Sequence, residues 1–282
     1  MNNPTTKGRL GKDLILPILV WVVIIIAFLN VKNIPIDFGE KNHQVVRYAA
    51  KFIMTILVPL ALIHLLYKDK SDFGIYFPKF LDSFKLSIRG YAIGGPAGGA
   101  FLLIGVLGLG FQDWLGSLIL SVVYLVVFFF IPKVTKSLPT RTHIVTPNNT
   151  ILVFCMLSIL TVIIAYFTYE YVPVISKILY YIFIVGLGEE LLFRGYLQSA
   201  FNRYFGKPFR IGNVQFGWGL FLAALLFGFI HALVVAPPTW PWAMFTMVIG
   251  LTLGFIREKD CSILAAVLLH ALFDMPLVFF TV

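Results

Sequence analysis

The stretch IVGLGEELLFRGYL, residues 184–197, places three charged side chains inside an otherwise apolar segment. These side chains are Glu189, Glu190 and Arg194. An ionised side chain at the centre of a membrane-spanning helix costs about 2.5 to 3.5 kcal/mol, whereas a Leu, Ile or Phe contributes only about 0.3 to 0.6 kcal/mol. Three charges therefore offset much of the free energy that drives this segment into lipid, and their presence indicates a functional role.

Composition sets the class of the protein. The chain has 282 residues, of which 59% are hydrophobic and 12% are charged, whereas soluble domains average about 25% charged residues. We therefore predict an all-α fold, a polytopic membrane helix bundle whose main partner is the lipid bilayer. The net charge of +9 comes from basic residues scattered among loops rather than along one face, so we expect no nucleic-acid partner.

Apolar segments long enough to cross a membrane, at about 20 residues each, occur nine times. The nine candidate spans are about 14–30, 49–67, 90–110, 115–131, 151–168, 178–200, 214–236, 242–256 and 262–281. The second carries Lys51 and the eighth is short, so these two fit the pattern least well. We expect about eight or nine transmembrane helices.

The basic residues also predict the orientation of the chain. If the nine spans alternate, 16 Lys and Arg residues fall on the side of the N-terminus and 5, Lys51 among them, on the opposite side. Basic loops stay in the cytoplasm. We expect a multi-pass protein of the cell membrane with a cytoplasmic N-terminus.

One integral membrane domain is expected, with two parts. An N-terminal group of helices and loops would occupy residues 1–150, and a catalytic helix bundle would occupy residues 151–282. The polar connection at 132–150, rich in Pro, Thr and Asn, would be the seam between them.

The two glutamates are predicted to differ in their partners. Glu190 and Arg194 are four residues apart, so they lie on one helix face and can form an ion pair. Glu189 is rotated by about 100° from Glu190 and cannot share Arg194 equally well. It is left as an unpaired carboxylate that can accept and release protons.

Later helices carry further costly side chains. His231 follows Phe227 by one turn, and His270 precedes Asp274 by one turn. Since none of these polar groups belongs in lipid, we expect them to meet the glutamates inside the bundle. The meeting point would be an active site or an ion path.

Each motif alone also has a structural explanation. Glu190 with Arg194 could be an ion pair that only fixes helix register. His231 could be an interior histidine bonded to a backbone carbonyl, and His270 with Asp274 could be an oriented interior pair. The occurrence of all of them in one half of the chain favours a site over packing alone.

The three motifs together resemble a known family. Glu-Glu-x-x-x-Arg at 189–194, Phe-x-x-x-His at 227–231 and His-x-x-x-Asp at 270–274 resemble, in this order, the CPBP family of intramembrane proteases. That family includes the type II CAAX prenyl endopeptidases and the bacterial Abi or bacteriocin-immunity proteins. The resemblance covers roughly residues 175–278. It implies a membrane-bound endopeptidase that cleaves a membrane-associated peptide or protein.

The resemblance also implies a role for each residue. Glu189 would activate the attacking water together with His231, and Glu190 with Arg194 would hold the geometry of the site. His270 and the residue at 274 would stabilise the oxyanion of the tetrahedral intermediate.

Position 274 departs from the commonest form of the family, which has Asn there. An ionised aspartate cannot donate a hydrogen bond to an oxyanion and would repel it. Asp274 is therefore neutral, or orients His270, or helps to bind a metal, and we place the orienting role first.

Metal dependence is left open by the sequence. Acceptable ligands for a divalent metal such as zinc are Glu189, His231, His270 and Asp274, but no His-Glu-x-x-His motif is present. An intramembrane metalloprotease and a metal-free glutamate-dependent hydrolase are both compatible with these residues.

Two rival functions remain. Intramembrane Glu, His and Asp also occur in the proton relays of proton-coupled transporters. The lack of an internal repeat, and of a second polar cluster in the N-terminal half, counts against a carrier. The other rival is a catalytically silent bacteriocin-immunity or scaffold protein.

Overall fold

A computed structural model describes residues 9–31, 39–76, 80–138, 148–168, 173–234 and 238–280. Within these ranges the chain forms nine helices, a single 3₁₀ turn at Ser71–Phe73 and one two-stranded hairpin. The all-α membrane helix bundle that the sequence predicts is confirmed, and each helix overlaps one of the nine predicted spans.

Five helices come first. Their bounds are α1 (Gly11–Ile15, continued by Leu16–Val31), α2 (Gly39–Phe52, Ile53–Leu57 and Val58–Leu66), α3 (Phe80–Val106), α4 (Trp114–Val134) and α5 (Asn148–Thr168). Helices α1 and α2 each contain a π-helical turn, at Gly11–Ile15 and Ile53–Leu57. The second part of the chain holds the other four helices and the hairpin. Their bounds are α6 (Pro173–Leu179, Tyr180–Gly186, Leu187–Glu190, Leu191–Leu197 and Gln198–Phe205), β1 (Phe209–Ile211), β2 (Val214–Phe216), α7 (Trp218–Leu233), α8 (Trp240–Asp260) and α9 (Leu264–Phe280).

Several predicted boundaries differ from the observed ones: α2 begins at Gly39 and not at about 49, and α3 begins at Phe80 and not at about 90. Two further differences have a local cause. The span predicted at 90–110 ends early, because Gly108 adopts a left-handed φ of 70° that terminates α3. The span predicted at 214–236 begins late, because residues 214–216 form β2. There Val214 and Phe216 are buried while Gln215 is exposed, which is the alternation of a strand, and Gly212 supplies the left-handed residue of the turn.

In the part of the chain that the structure describes, four helical stretches are long and apolar enough to cross a membrane, namely Gly11–Asn30, Val45–Leu66, Trp114–Val134 and Trp240–Asp260. Three shorter apolar stretches accompany them, at Cys155–Ile164, Trp218–Leu233 and Leu264–Met275. The second and eighth predicted spans, which fit the pattern least well, are among the four long ones. These stretches support a membrane-embedded protein, while the orientation of the N-terminus stays a prediction.

The predicted division into residues 1–150 and 151–282 also stays a prediction. Of the polar connection proposed as the seam, residues 139–147 lie outside the described ranges.

A ladder of polar contacts joins α6 to α8. Arg194 donates to the carbonyl of Gly250 at 3.2 Å, Gln198 donates to the carbonyl of Gly254 at 3.1 Å, and Asn202 donates to the carboxylate of Glu258 at 2.8 Å. The donors on α6 and the acceptors on α8 both advance by four residues, so each set follows one face of its helix. The two helices therefore run in the same direction. Helix α7 returns the chain between them. The ladder fixes the register of α6, which carries both glutamates.

Helix α2 packs closely against the same part of α6. The buried side chains of Phe52 and Ile56 belong to one core cluster with Leu187 and Leu191. Between these layers lies Gly188, where a Cβ atom would collide with Oγ1 of Thr55. The hydroxyl of Thr55 in turn donates to the carbonyl of Lys51 at 2.7 Å. The absence of a side chain at Gly188 therefore sets the distance between α2 and the glutamates.

A valine at position 188 should force the two helices apart. We expect Gly188→Val to lower the free energy of unfolding by about 1 to 3 kcal/mol, the usual cost of overpacking. Thermal melting in detergent measures the effect. The matched control is Gly99→Val, because Gly99 is also helical but has no atom near its Cβ position. Equal melting temperatures for the two variants would contradict the close contact.

Candidate active site

Glu189 and Glu190 lie in a single α-helical turn, Leu187–Glu190, between two π-helical segments of α6. The π-helical segments cover Tyr180–Gly186 and Leu191–Leu197. Each extra residue in a π-helical turn rotates the side chains that follow, and such turns are frequent at functional sites. The local helix geometry thus turns both glutamates toward the bundle interior.

The ion pair between Glu190 and Arg194 forms as the sequence predicts. Nη1 of Arg194 lies 3.0 Å from Oε1 of Glu190, and both side chains are almost fully buried, at 0% and 1% exposed. The guanidinium also stacks over the ring of Phe227, 4.3 Å from its centroid. With its bond to the Gly250 carbonyl, Arg194 thereby joins α6, α7 and α8.

His270 of α9 lies among three carboxylates. Its Nδ1 is 2.7 Å from Oε1 of Glu190, while its Nε2 is 3.8 Å from Oε2 of Glu189 and 3.5 Å from Oδ2 of Asp274. Nδ1–H is the donor to Glu190, because that carboxylate also accepts from Arg194. The other ring nitrogen faces Glu189 and Asp274. The expected meeting of residues from α6 and α9 is therefore observed.

The shortest of these contacts to His270 comes from Glu190. Asp274 lies on the same face of α9 one turn later, at the longer distance of 3.5 Å. Glu190 thus holds the ring at Nδ1, and a role for Asp274 in orienting His270 stays a prediction.

The prediction of an unpaired Glu189 is wrong. Nζ of Lys51, on α2, donates to Oε1 of Glu189 at 2.6 Å. Lys51 has an 18% exposed side chain and Glu189 a 13% exposed one, so the pair is largely screened from solvent. The rotation of Glu189 away from Arg194 was correctly predicted, but the partner comes from a helix that the motifs do not include.

Lys51 is the residue of the site that sequence reasoning missed. In the sequence its charge is one of the basic residues that predict the orientation, and its helix fits the pattern of a membrane span poorly. The signal that could have found it is the one applied to Glu189, since any charge within an apolar span of this length needs a partner.

His231 is held by its own helix. Its Nδ1 lies 2.7 Å from the carbonyl of Phe227, and because a carbonyl can only accept, Nδ1 carries the proton. In the neutral ring Nε2 then keeps its lone pair. Glu189, Lys51 and His270 all interact electrostatically with His231, so α7 contributes to the same cluster.

One oxygen of Glu189 has no partner among the described residues. Oε1 accepts from Lys51, whereas Oε2 is buried and accepts no hydrogen bond from them. This oxygen faces Nε2 of His270 at 3.8 Å. A carboxylate held on one side by an ammonium group, with its other oxygen free, can accept a proton from a donor placed beside it.

A metal centre does not fit the side chains as they stand. Within the part of the chain that the structure describes, no three His, Cys, Asp or Glu side chains are arranged so that they could hold a metal ion. Oε1 of Glu189 is also engaged by the ammonium group of Lys51, which a cation bound at that oxygen would have to displace. Binding of zinc by Glu189, His231, His270 and Asp274 stays a prediction.

Part of the chain matches a known protein family. Residues 170–276 match the family model described as "Rce1-like: Type II CAAX prenyl endopeptidase Rce1-like". The match confirms the resemblance to the CPBP intramembrane proteases. At the level of the family it supports a CAAX-protease-like intramembrane endopeptidase.

The matched segment begins just before α6, ends within α9 and is less than half of the chain. It contains the six candidate site residues, Glu189, Glu190, Arg194, His231, His270 and Asp274, and excludes Lys51. No curated protein and no solved structure matches the chain.

Removing Arg194 should destabilise the protein strongly. In Arg194→Met the carboxylate of Glu190 stays buried without its charged partner, which costs about 3 to 5 kcal/mol. Thermal melting in detergent tests this, and Arg210→Met on the exposed face of β1 is the control. The double variant Glu190→Gln/Arg194→Met should recover part of the loss, because it leaves no lone charge. Arg194→Met melting like Arg210→Met would refute a stabilising role for the pair.

Proposed function

We propose that the chain is an endopeptidase that hydrolyses a peptide bond within or next to the bilayer, using water activated by Glu189 and His231. The observation that carries this proposal is the free, buried oxygen of Glu189, Oε2, beside the two histidines. The substrate would be a membrane-associated peptide or protein whose scissile bond reaches the cluster between α2, α6, α7 and α9.

The first step would be attack by water. Oε2 of Glu189 or Nε2 of His231 accepts a proton from the water molecule, and the water oxygen forms a bond to the carbonyl carbon of the substrate. The electron pair of the carbonyl moves to its oxygen, which gives a tetrahedral oxyanion. The electrostatic interaction between Glu189 and His231 supports a shared role in this step, because each side chain has a proton acceptor without a hydrogen bond among the described residues.

The second step would be collapse of the intermediate. The oxyanion re-forms the carbonyl, the carbon–nitrogen bond breaks, and the proton first taken from water passes to the leaving amine. The products are a carboxylic acid and an amine, so atoms and charge balance. His270 in its protonated form, with Nδ1–H bonded to Glu190, has Nε2–H available to stabilise the oxyanion.

Glu190 and Arg194 would act by position. Both are completely buried, and Glu190 fixes the ring of His270 through Nδ1. The more exposed members of the cluster are Lys51 and Asp274, at 18% and 19%. The reaction would therefore take place on the side of the cluster where Lys51 and Asp274 lie. The buried Glu190–Arg194 pair would close the opposite side of the cluster.

Replacing Glu189 tests the function directly. Glu189→Gln keeps the shape of the side chain and removes the proton acceptor, so cleavage should fall by about 100-fold or more. The assay would use purified protein in nanodiscs, with prenylated and unprenylated peptides ending in a CAAX sequence and membrane-inserted peptides, read by mass spectrometry.

The control for this assay is Asp113→Asn, an exposed carboxylate outside the site whose bond from the amide of Gly110 an amide oxygen can still accept. Unchanged cleavage by Glu189→Gln would refute the proposal. If the wild-type protein cleaves nothing but takes up a solute with protons in a manner that needs Glu189, the protein is a carrier.

Chelation tests the mode of water activation. We expect cleavage to survive treatment with 1,10-phenanthroline, because no three His, Cys, Asp or Glu side chains among the described residues are arranged to hold a metal ion. The metal content of the active protein, measured by mass spectrometry, should be well below one ion per chain. Loss of cleavage on chelation and its recovery with zinc would overturn the metal-free mechanism.

A further inference from the structure

The ammonium group of Lys51 reaches the site from outside the family-matched segment. Its Nζ lies 2.6 Å from Oε1 of Glu189 and 5.8 Å from the centroid of the ring of Tyr180. The backbone of Lys51 is tied through Thr55 to the surface where α2 meets Gly188. The position of this charge is therefore set by helix packing.

The charges around Glu189 make Lys51 necessary. Arg194 is already matched to Glu190 at 3.0 Å. That leaves two carboxylates, Glu189 and Asp274, on either side of His270 Nε2 at 3.8 and 3.5 Å. Lys51 interacts electrostatically with both of them. Two carboxylates that share one region repel each other. The ammonium group of Lys51 and the ring of His270, when it is protonated, both attract them.

Asp274 is the source of the additional negative charge. Its Oδ2 lies 3.5 Å from the ring nitrogen of His270 that Oε2 of Glu189 faces at 3.8 Å, so it places a second carboxylate beside the candidate base. Lys51 supplies a positive charge in the same place. The charges of Lys51 and Asp274 offset each other although the two residues lie 223 positions apart in the chain.

We propose that Lys51 is a positioning residue of the site that offsets the charge of Asp274 and holds Glu189 by Oε1, so that Oε2 is free to act on water. The inference rests on the proposed function. It makes Lys51 and Asp274 an interdependent pair, in which either change alone is harmful and the change at Asp274 offsets part of the harm of the change at Lys51.

A double-variant cycle tests this interdependence. Lys51→Met should lower kcat by at least about tenfold with little change in KM, because the side chain acts on Glu189 and not on the bound substrate. Lys51→Arg keeps the charge and should retain more activity than Lys51→Met. Asp274→Asn alone should also lower kcat, since Lys51 then faces Glu189 alone. The double variant Lys51→Met/Asp274→Asn restores the charge balance but not the bond to Oε1, so it should recover part of the kcat that Lys51→Met loses, a non-additivity expected of groups that interact.

Arg47→Met is the matched control, because Arg47 is exposed and lies one turn earlier on the same helix. It should leave kcat unchanged. A double variant no more active than Lys51→Met, or a Lys51→Met variant as active as Arg47→Met, would overturn the proposal.

Thermal melting separates this inference from the proposed function. It is measured on the wild type, Lys51→Met, Asp274→Asn and the double variant. We expect Lys51→Met to melt below the wild type and the double variant to melt above Lys51→Met. If the wild-type protein cleaves no substrate, the proposed function fails, and the melting cycle still decides whether Lys51 offsets Asp274. If Lys51→Met does not fold, recovery of a folded double variant supports the pairing, and failure of both to fold contradicts it.

Discussion

The ion pair between Glu190 and Arg194 is the interaction on which the candidate site depends. Its two charges are shielded from solvent and from lipid, so neither can be removed without leaving the other unpaired in a medium of low dielectric constant. Each charge also has a second task. Arg194 joins α6 to a carbonyl of α8 and to an aromatic ring of α7, and Glu190 holds the imidazole of α9. One pair thus sets the relative positions of α8 and of the three helices that carry the family motifs, α6, α7 and α9.

The polar ladder extends this control along α6. Contacts at Arg194, Gln198 and Asn202 meet α8 at intervals of one turn, and two of the acceptors are backbone carbonyls of glycines. A glycine has no side chain to cover its carbonyl, so the donor from the neighbouring helix can reach it. Because several hydrogen bonds must shift together, α6 cannot rotate or slide without breaking all of them. A rigid α6 is what allows two adjacent glutamates to face different partners.

Glu189 lies where the family-matched segment meets the rest of the bundle. On one side are the histidines of α7 and α9, and on the other is the ammonium group of Lys51 from α2. The first helices of the chain are therefore more than a membrane anchor, since they place a charge against the candidate base. A comparison limited to residues 170–276 does not contain this contact, although the contact changes the electrostatic balance of the site.

The sequence by itself determined the class of fold, the approximate position of every helix and the Glu190–Arg194 pair. Apolar length and the four-residue spacing on one helix face are local properties, and they can be counted along the chain. It did not determine the π-helical turns of α6, the early end of α3 or the partner of Glu189. The π-helical turns depend on packing, and the end of α3 depends on a single left-handed glycine. The third depends on the approach of α2 to Gly188, a contact between residues more than one hundred positions apart. A charged side chain in an apolar helix indicates that a partner of opposite charge is present. Only the tertiary structure decides which residue that partner is, because the free energy of an ion pair depends on distance in space and not on position in the chain.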